Sequence, residues 1–286
     1  MTDSFLSKLT PWSDSAQTRY AILRQVPNFL TVLVALFILL PVYWVWNTSL
    51  HDIEEMYDRP TAFLPTDITV TNFEVLFTQT DFVTFYVNSI ILAAGVITLT
   101  TVLSTLAGYG LTRLDIPHKR TFARTILFGY MFPPILLAIP MYIIWQGVGL
   151  LNSRIGAIIA VTATGLPITI WIMWQFFQSI PISLEESARM AGASRFRAFY
   201  EIALPNARPG IIAIATFSYA HAWTAYTIPK ILLVGYEQWP LTVGIESFIR
   251  QSAIRWPMVM SSIAMALIPS FLFLYILRDK WEVISV

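Results

Sequence analysis

Six stretches of this 286-residue chain run without a single Asp, Glu, Lys or Arg, at about 27–46, 85–111, 125–145, 155–177, 209–228 and 256–277. Each is longer than the roughly 18 apolar residues that suffice to cross a bilayer's hydrocarbon core. No water is available there to satisfy backbone N–H and C=O groups, so each stretch is expected to be a helix. Composition agrees: 56% of the residues are apolar and 12% are charged, about half the charge of a soluble domain. So few polar groups cannot cover a water-soluble body of this size, and a chain this rich in aromatic and branched residues is not disordered. The net charge of +1 leaves no electrostatic footprint for nucleic acid. With no Cys, disulfides, thiolate metal sites and cysteine nucleophiles are excluded. Pro41, Pro133, Pro134, Pro140, Pro167 and Pro269 fall inside the stretches and are expected to kink or interrupt them.

The first stretch is too long for a signal-peptide core, and the 26 mostly polar residues before it include Asp3 and Asp14. Residues 1–26 therefore read as a tail and 27–286 as one membrane domain. Sidedness follows from the basic residues of the short loops. Lys8, Arg19, Arg24, Arg113, Lys119, Arg120, Arg124, Arg189, Arg195, Arg197, Arg208, Arg278 and Lys280 fall on one side, thirteen of the 18 Lys and Arg. Arg59, Arg154, Lys230, Arg250 and Arg255 fall on the other. The richer side marks the cytoplasm and places both termini there.

Two loops are long. Residues 47–84 carry Asp52, Glu54, Glu55, Asp58, Asp67, Glu74 and Asp81 with Pro60 and Pro65, and read as a folded acidic ledge on the outer surface. Such a ledge serves either as a solvated connector or as a docking site. Residues 178–208 form the inner loop, far longer than a connector requires. Within it, Ser183-Leu184-Glu185-Glu186 has the spacing of a capping box after Pro181 and Ile182. Glu185 and Glu186 occupy the first turn, where the helix dipole favours negative charge. Leu184, Ala188 and Ala191 recur at helical spacing, and Gly192 suits a left-handed helix end. Ser194 is placed to cap a second helix with Phe196, Phe199 and Tyr200 on one side, closed by Pro205. A bent pair of short helices with one small-residue face fits a groove on another protein, or rests as an amphipathic hairpin on lipid headgroups.

Glu186-Ser187-Ala188, three residues, Gly192, nine residues and then Ile202-Ala203-Leu204-Pro205 resembles the EAA---G---------I-LP signature of permease subunits of binding-protein-dependent ABC importers. PISLEESARMAGAS, TFYVNSI, YGLTRLDIPHKR and IPMYIIWQGVGLLNSRIG are similar to the carbohydrate-uptake branch, of maltose and glycerol-3-phosphate type. The resemblance implies an all-α integral membrane protein of type I permease fold, with a core of the second to sixth spans and the first wrapped outside. It also implies that the inner loop is a coupling helix seated in a cleft of a separate ATP-binding subunit. Leu184, Ala188 and Ala191 would supply the seated face, Glu185, Glu186 and Arg189 a charged rim, and Ser187, Gly192, Ala193, Ile202, Leu204 and Pro205 the rest of the motif. The implied partners are a second permease, two ATP-binding subunits that hold ATP and Mg, and an extracytoplasmic substrate-binding protein. The implied site is the cell membrane, with no cofactor on this chain. The outer segment 229–255 would meet the binding protein. Ser187 and Ala191 stand where the signature has Ala and Asp, AWTAYTIPK departs from the branch's Trp-Asn pattern, and the tail RDKWEVISV lacks its glycine-rich ending.

Two other classes are less well supplied by the residues. An ion-coupled secondary transporter needs an ionisable group within the membrane, and only His221, among Tyr219, Trp223 and Tyr226, offers one. An intramembrane enzyme lacks H-E-x-x-H, G-x-S-x-G and paired carboxylates, and no G-x-x-x-x-G-K-[ST] is present to cradle a nucleotide. Trp44, Trp46, Trp145, Trp171, Trp256 and Trp281 lie near span ends, as interfacial belts do, and so identify no ligand.

Overall fold

The computed structural model describes residues 12–54, 63–64, 67–250 and 255–281. Among these it is helical with no strand. The helices are α1 (Trp12–Ser49), α2 (Thr71–Thr78), α3 (Phe82–Arg113), α4 (Lys119–Phe128), α5 (Pro134–Gly147), α6 (Arg154–Ser179) and α7 (Ile182–Met190). They continue as α8 (Arg195–Ala198), α9 (Leu204–Asn206), α10 (Arg208–Trp223), α11 (Thr227–Leu232), α12 (Leu241–Ile249) and α13 (Trp256–Trp281). Four segments are long and apolar enough to span a membrane: Leu30–Ser49, Phe82–Arg113, Arg154–Ser179 and Trp256–Arg278. The first helix begins at Trp12, well before the apolar stretch at 27.

The third stretch is not one helix. Lys119–Met131 and Pro134–Gly147 meet at a bend of 96°. Phe132 is extended (ψ 122) ahead of Pro133, itself extended at ψ 135, and Pro134 opens α5. A residue before proline avoids the helical region, and two consecutive prolines remove two N–H donors. By contrast Pro41, Pro140, Pro167 and Pro269 lie within continuous helices. The fifth stretch is also shorter than its apolar run: α10 has 16 residues and ends at Trp223, before the chain turns into α11.

The core lies between α3, α6 and α10, where Leu92, Val96, Ala157, Ala160, Val161 and Ala222 are buried together with Ile228 and Leu232 of α11. α1 runs along α13 at the periphery, and its apolar side chains remain exposed, up to 78% at Phe37. That is the peripheral first helix the family resemblance implies. α3 and α6 pack closely at Gly108, where an added Cβ would stand 2.7 Å from Met173 Cβ and 2.9 Å from the Trp174 nitrogen. Neither atom can swing away. Gly108→Ala is therefore expected to lower stability by about 1–3 kcal/mol through overpacking, read as a fall in melting temperature of the purified protein in detergent.

At one end of the bundle, Asn72 donates to the Ser49 and His51 carbonyls at 3.1 and 2.8 Å, docking α2 over the end of α1. Leu76 of α2 is fully buried with Phe82, Phe85, Phe248, Met258 and Val259. The segment after α1 is thus folded, with Asp52, Glu54, Asp67, Glu74 and Asp81 exposed. Glu55, Asp58, Pro60 and Pro65, and residues 282–286 of the tail, lie outside the described residues.

Candidate functional site

The 178–208 loop sits at the opposite end, against the C-terminal turn of α3. Ile180 is extended, and Pro181 (φ −59) precedes α7, which starts at Ile182. The expected capping box does not form: Ser183 lies inside the helix and no side chain caps it. Proline's fixed φ already orients the entry, so the hydroxyl is not needed there.

Glu185 is the larger correction. It is not a rim residue but the anchor of α7. Its Oε1 lies 2.6 Å from Arg113 Nε, with side-chain exposures of 7% and 8%. Tyr109 donates its hydroxyl to Glu185 Oε2 at 2.8 Å, and Arg113 Nη2 donates to the Ile180 carbonyl at 2.8 Å. Both carboxylate oxygens and the guanidinium are thereby hydrogen-bonded, which a buried ion pair requires. The Tyr109 ring packs 4.6 Å from Phe199 and 5.5 Å from Phe177, over a buried cluster of Met173, Phe177, Ile180, Ala203, Ala207 and Ile214. Arg113 and Tyr109 do not appear among the sequence-derived site residues, although a Tyr and an Arg at i and i+4 share one helix face. That spacing, at the end of an uncharged span, was the available signal.

The bend is as expected at Gly192 (φ +95). The Ala193 N–H donates to the Ala188 carbonyl and the Gly192 N–H to that of Arg189, both at 3.0 Å. This pair of bonds is the Schellman ending, and it requires the left-handed residue. Ser194 then accepts from the Arg197 N–H at 3.2 Å and caps α8, again as expected. Pro205 does not close the second helix. A π turn over Phe199–Ala203, in which the Leu204 N–H reaches the Phe199 carbonyl, carries the chain into α9 with Pro205 in its first turn. A wider turn next to a residue without an N–H keeps the helix running instead of ending it. Phe196 and Tyr200 stay exposed while Phe199 turns inward, so the three do not share a side.

On the outer surface of α7, Leu184 and Met190 are exposed at 45% and 84%. Glu186, Ser187, Arg189, Ala191 and Gly192 are exposed as well, with Ala188 and Ala193 half-buried. Ile202, Leu204 and Pro205 are half-buried beneath the bend. Leu204 and Pro205, with Thr101, Thr105 and Ile211, line a groove of about 570 Å³ between α3 and α10. The motif residues thus divide in two: Glu185 holds the element to the bundle, and the remainder of α7 presents a free, partly apolar knob.

His221 lies on α10 with its Nε2 3.0 Å from Thr164 Oγ1 and its ring stacked on Phe217. It lines a cavity of about 220 Å³ with Thr164, Thr224 and Thr227. On the far side, Glu246 of α12 pairs with Lys230 at 2.7 Å and with Arg250. The Lys230 hydrogen bond is the main cause that lowers the Glu246 carboxyl to about 2. No group of three or more His, Cys, Asp or Glu able to hold a metal occurs among the described residues.

The family model for binding-protein-dependent transport system inner membrane components matches residues 101–280. The diacetylchitobiose uptake permease NgcG of Streptomyces coelicolor is 30% identical over 84% of this chain and 78% of its own length. The trehalose transport permease SugB of Mycobacterium tuberculosis is 30% identical over 80% and 82%. A crystal structure of a bacterial ABC transporter that imports the acidic polysaccharide alginate contains a chain with 25% identity and a TM-score of 0.77, covering 91% of this chain and 96% of that one. A chain of the alginate transporter in complex with its pentasaccharide-bound periplasmic protein has the same fold at 14% identity, with a TM-score of 0.65 over 96% and 98%.

Proposed function

We propose a function from one premise: the chain belongs to the family of binding-protein-dependent transport system inner membrane components. It is a multi-pass membrane protein and a transport subunit of a sugar ABC importer, not an enzyme. Its substrate is a sugar or sugar derivative, the class named for relatives that take up diacetylchitobiose and trehalose. The chain crosses the membrane six times with both termini in the cytoplasm: four long helices, the bent α4–α5 pair and the shorter α10. In favour of this reading, Arg113 and Glu185, from two loops assigned to the inner side, meet at one end of the bundle. Asn152 and Leu232, from two loops assigned to the outer side, meet at the other.

Two separate ATP-binding subunits hold the nucleotide, and a second permease completes the translocation path. The observation that carries the coupling role is the α7 knob, exposed along Leu184, Ser187 and Met190 yet fastened from behind through Glu185. When the ATP-binding subunits close, they push this knob. The Arg113–Glu185 pair passes the movement to α3, and the packed core converts it into a change of access between the two sides. The groove at Leu204 and Pro205 faces the second permease, and the Thr101 and Thr105 hydroxyls on its wall, without a hydrogen-bond partner among the described residues, suit a helix that brings hydrogen-bonding groups. His221 serves packing and a hydrogen bond to Thr164, not ion carriage.

Because the chain has no Cys, Ala188→Cys gives a single thiol. It is expected to form a disulfide with a cysteine placed in the cleft of the ATP-binding subunit, and the cross-link should block uptake. Labelling of that thiol by a membrane-impermeant maleimide from outside intact cells would overturn the orientation. Absence of cross-linking to any cleft position would overturn the coupling role.

A further inference from the structure

Two Asn-Ser dipeptides stand far apart in the sequence, Asn88-Ser89 in the second turn of α3 and Asn152-Ser153 just before α6. The coupling segment uses neither. The structure brings both to the outer segment between α11 and α12. Asn152 is left-handed (φ +53), and its N–H donates to the Leu232 carbonyl at 2.9 Å. Its Oδ1 accepts from the N–H groups of Val234 and Gly235 at 3.1 and 3.0 Å. Ser153 caps α6 by accepting from the Gly156 N–H at 3.0 Å, which holds Asn152 in place. From the other side, Asn88 Nδ2 donates to the carbonyls of Glu237 and Trp239 at 2.8 and 3.0 Å. Ser89 Oγ accepts from the Leu241 N–H at 2.7 Å, and Trp239 Nε1 donates back to the Leu233 carbonyl at 2.9 Å.

A surface loop ordinarily satisfies its backbone with water and moves accordingly. Here side chains from two other elements take that place, and Asn88 and Ser89 are themselves buried at 4% and 3% exposure. The side chains at the tip are treated in the opposite way. Val234 and Tyr236 are exposed at 66% and 54%, and their side chains make no hydrogen bond or ring contact among the described residues. A fixed backbone carrying an uncovered valine and a tyrosine is a preorganised contact surface: its ordering cost is met before any partner arrives. It lies at the end of the bundle opposite the coupling knob, the end from which a binding-protein-dependent permease receives its substrate.

We propose that Asn152 and Asn88 are positioning residues that hold 233–239 as a preshaped prong for the substrate-binding protein, with Val234 and Tyr236 as its tip. The proposal rests on the transport reading above. Neither asparagine touches the partner; each acts through the loop backbone.

The test uses the complete importer complex in nanodiscs, with its own purified binding protein as the probe. Asn152→Gly keeps the left-handed backbone and removes the acceptor, whereas Asn152→Asp keeps the acceptor. In Asn152→Gly, the binding-protein concentration that half-saturates ATP hydrolysis should rise roughly tenfold while the maximal rate stays within about twofold. A nitroxide attached through Tyr236→Cys should also become mobile. Asn152→Asp should restore both readings. Unchanged half-saturation in Asn152→Gly, or failure of Asn152→Asp to restore it, would overturn the proposal. Should ATP hydrolysis by the parent complex ignore the binding protein at every concentration, the transport reading itself would fall. The nitroxide line shape tells the two failures apart, because it reports the clamp without any partner.

Discussion

Glu185→Ala is expected to lower the stability of the protein by about 3–5 kcal/mol, because it leaves Arg113 buried without its counter-charge, and to abolish uptake. The Arg113 side chain is only 8% exposed, so water cannot readily replace the carboxylate. The pair also joins residues 72 positions apart in sequence, so its loss separates α7 from α3 rather than loosening one helix. The informative control is Arg113→Met with Glu185→Leu, which removes both charges and keeps the volume. Replacing a whole buried pair with apolar residues is often neutral or stabilising. The double variant should therefore recover most of the lost melting temperature in detergent while the two single variants remain low. A double variant as unstable as the sum of the singles would show that the two side chains do not act as a pair. Tyr109→Phe, which removes one neutral donor to the carboxylate, should cost far less, about 1–3 kcal/mol.

Gly192→Val is expected to reduce uptake by at least about tenfold, the factor that corresponds to roughly 1.4 kcal/mol, while the protein still inserts in the membrane. No atom lies within 4 Å of the position an added Cβ would take, so the substitution causes no clash. What it opposes is the backbone: at φ +95 a side chain crowds the adjacent carbonyl, at about 1–2 kcal/mol for an ordinary residue and more for a branched one. The two hydrogen bonds that end α7 at Ala188 and Arg189 depend on that φ, so the knob would point elsewhere and, on the proposed coupling role, meet its partner wrongly. Gly192→Asn separates the causes, since asparagine tolerates the left-handed region. It should retain much more transport than Val in the same assay. Equal transport by the parent and the Val variant would mean that the bend is dispensable.

The 178–208 loop shows how far the chain's own residues reveal a candidate site. Gly192 and Ser194 are legible because helix ends are local: a left-handed residue or a capping hydroxyl satisfies backbone groups within a few positions. Ser183 misleads for a local reason too, since Pro181 performs the helix entry before the serine is needed. Glu185 reads as a rim residue because a first-turn glutamate usually faces solvent, and nothing within the loop indicates the arginine waiting at the end of α3. The prolines behave in the same divided way. Pro133 and Pro134 break a helix because two donors vanish together, whereas single prolines at Pro140, Pro167 and Pro269 are absorbed by continuous helices.

The chain by itself determined that it is a helical membrane protein, where its apolar stretches lie and that the 178–208 loop bends at Gly192. The first two follow from the refusal of hydrocarbon to hydrate a backbone or a charge, a constraint that acts on each segment separately, and the bend from a left-handed residue that ends its own helix. Only the tertiary structure decided that α7 is fastened to α3 through Arg113 and Glu185, that the 233–239 loop is held by Asn88 and Asn152, and that Pro205 continues a helix. Those outcomes depend on which distant groups meet once α3, α6 and α10 pack. A buried polar side chain must find its partner wherever the packing places one.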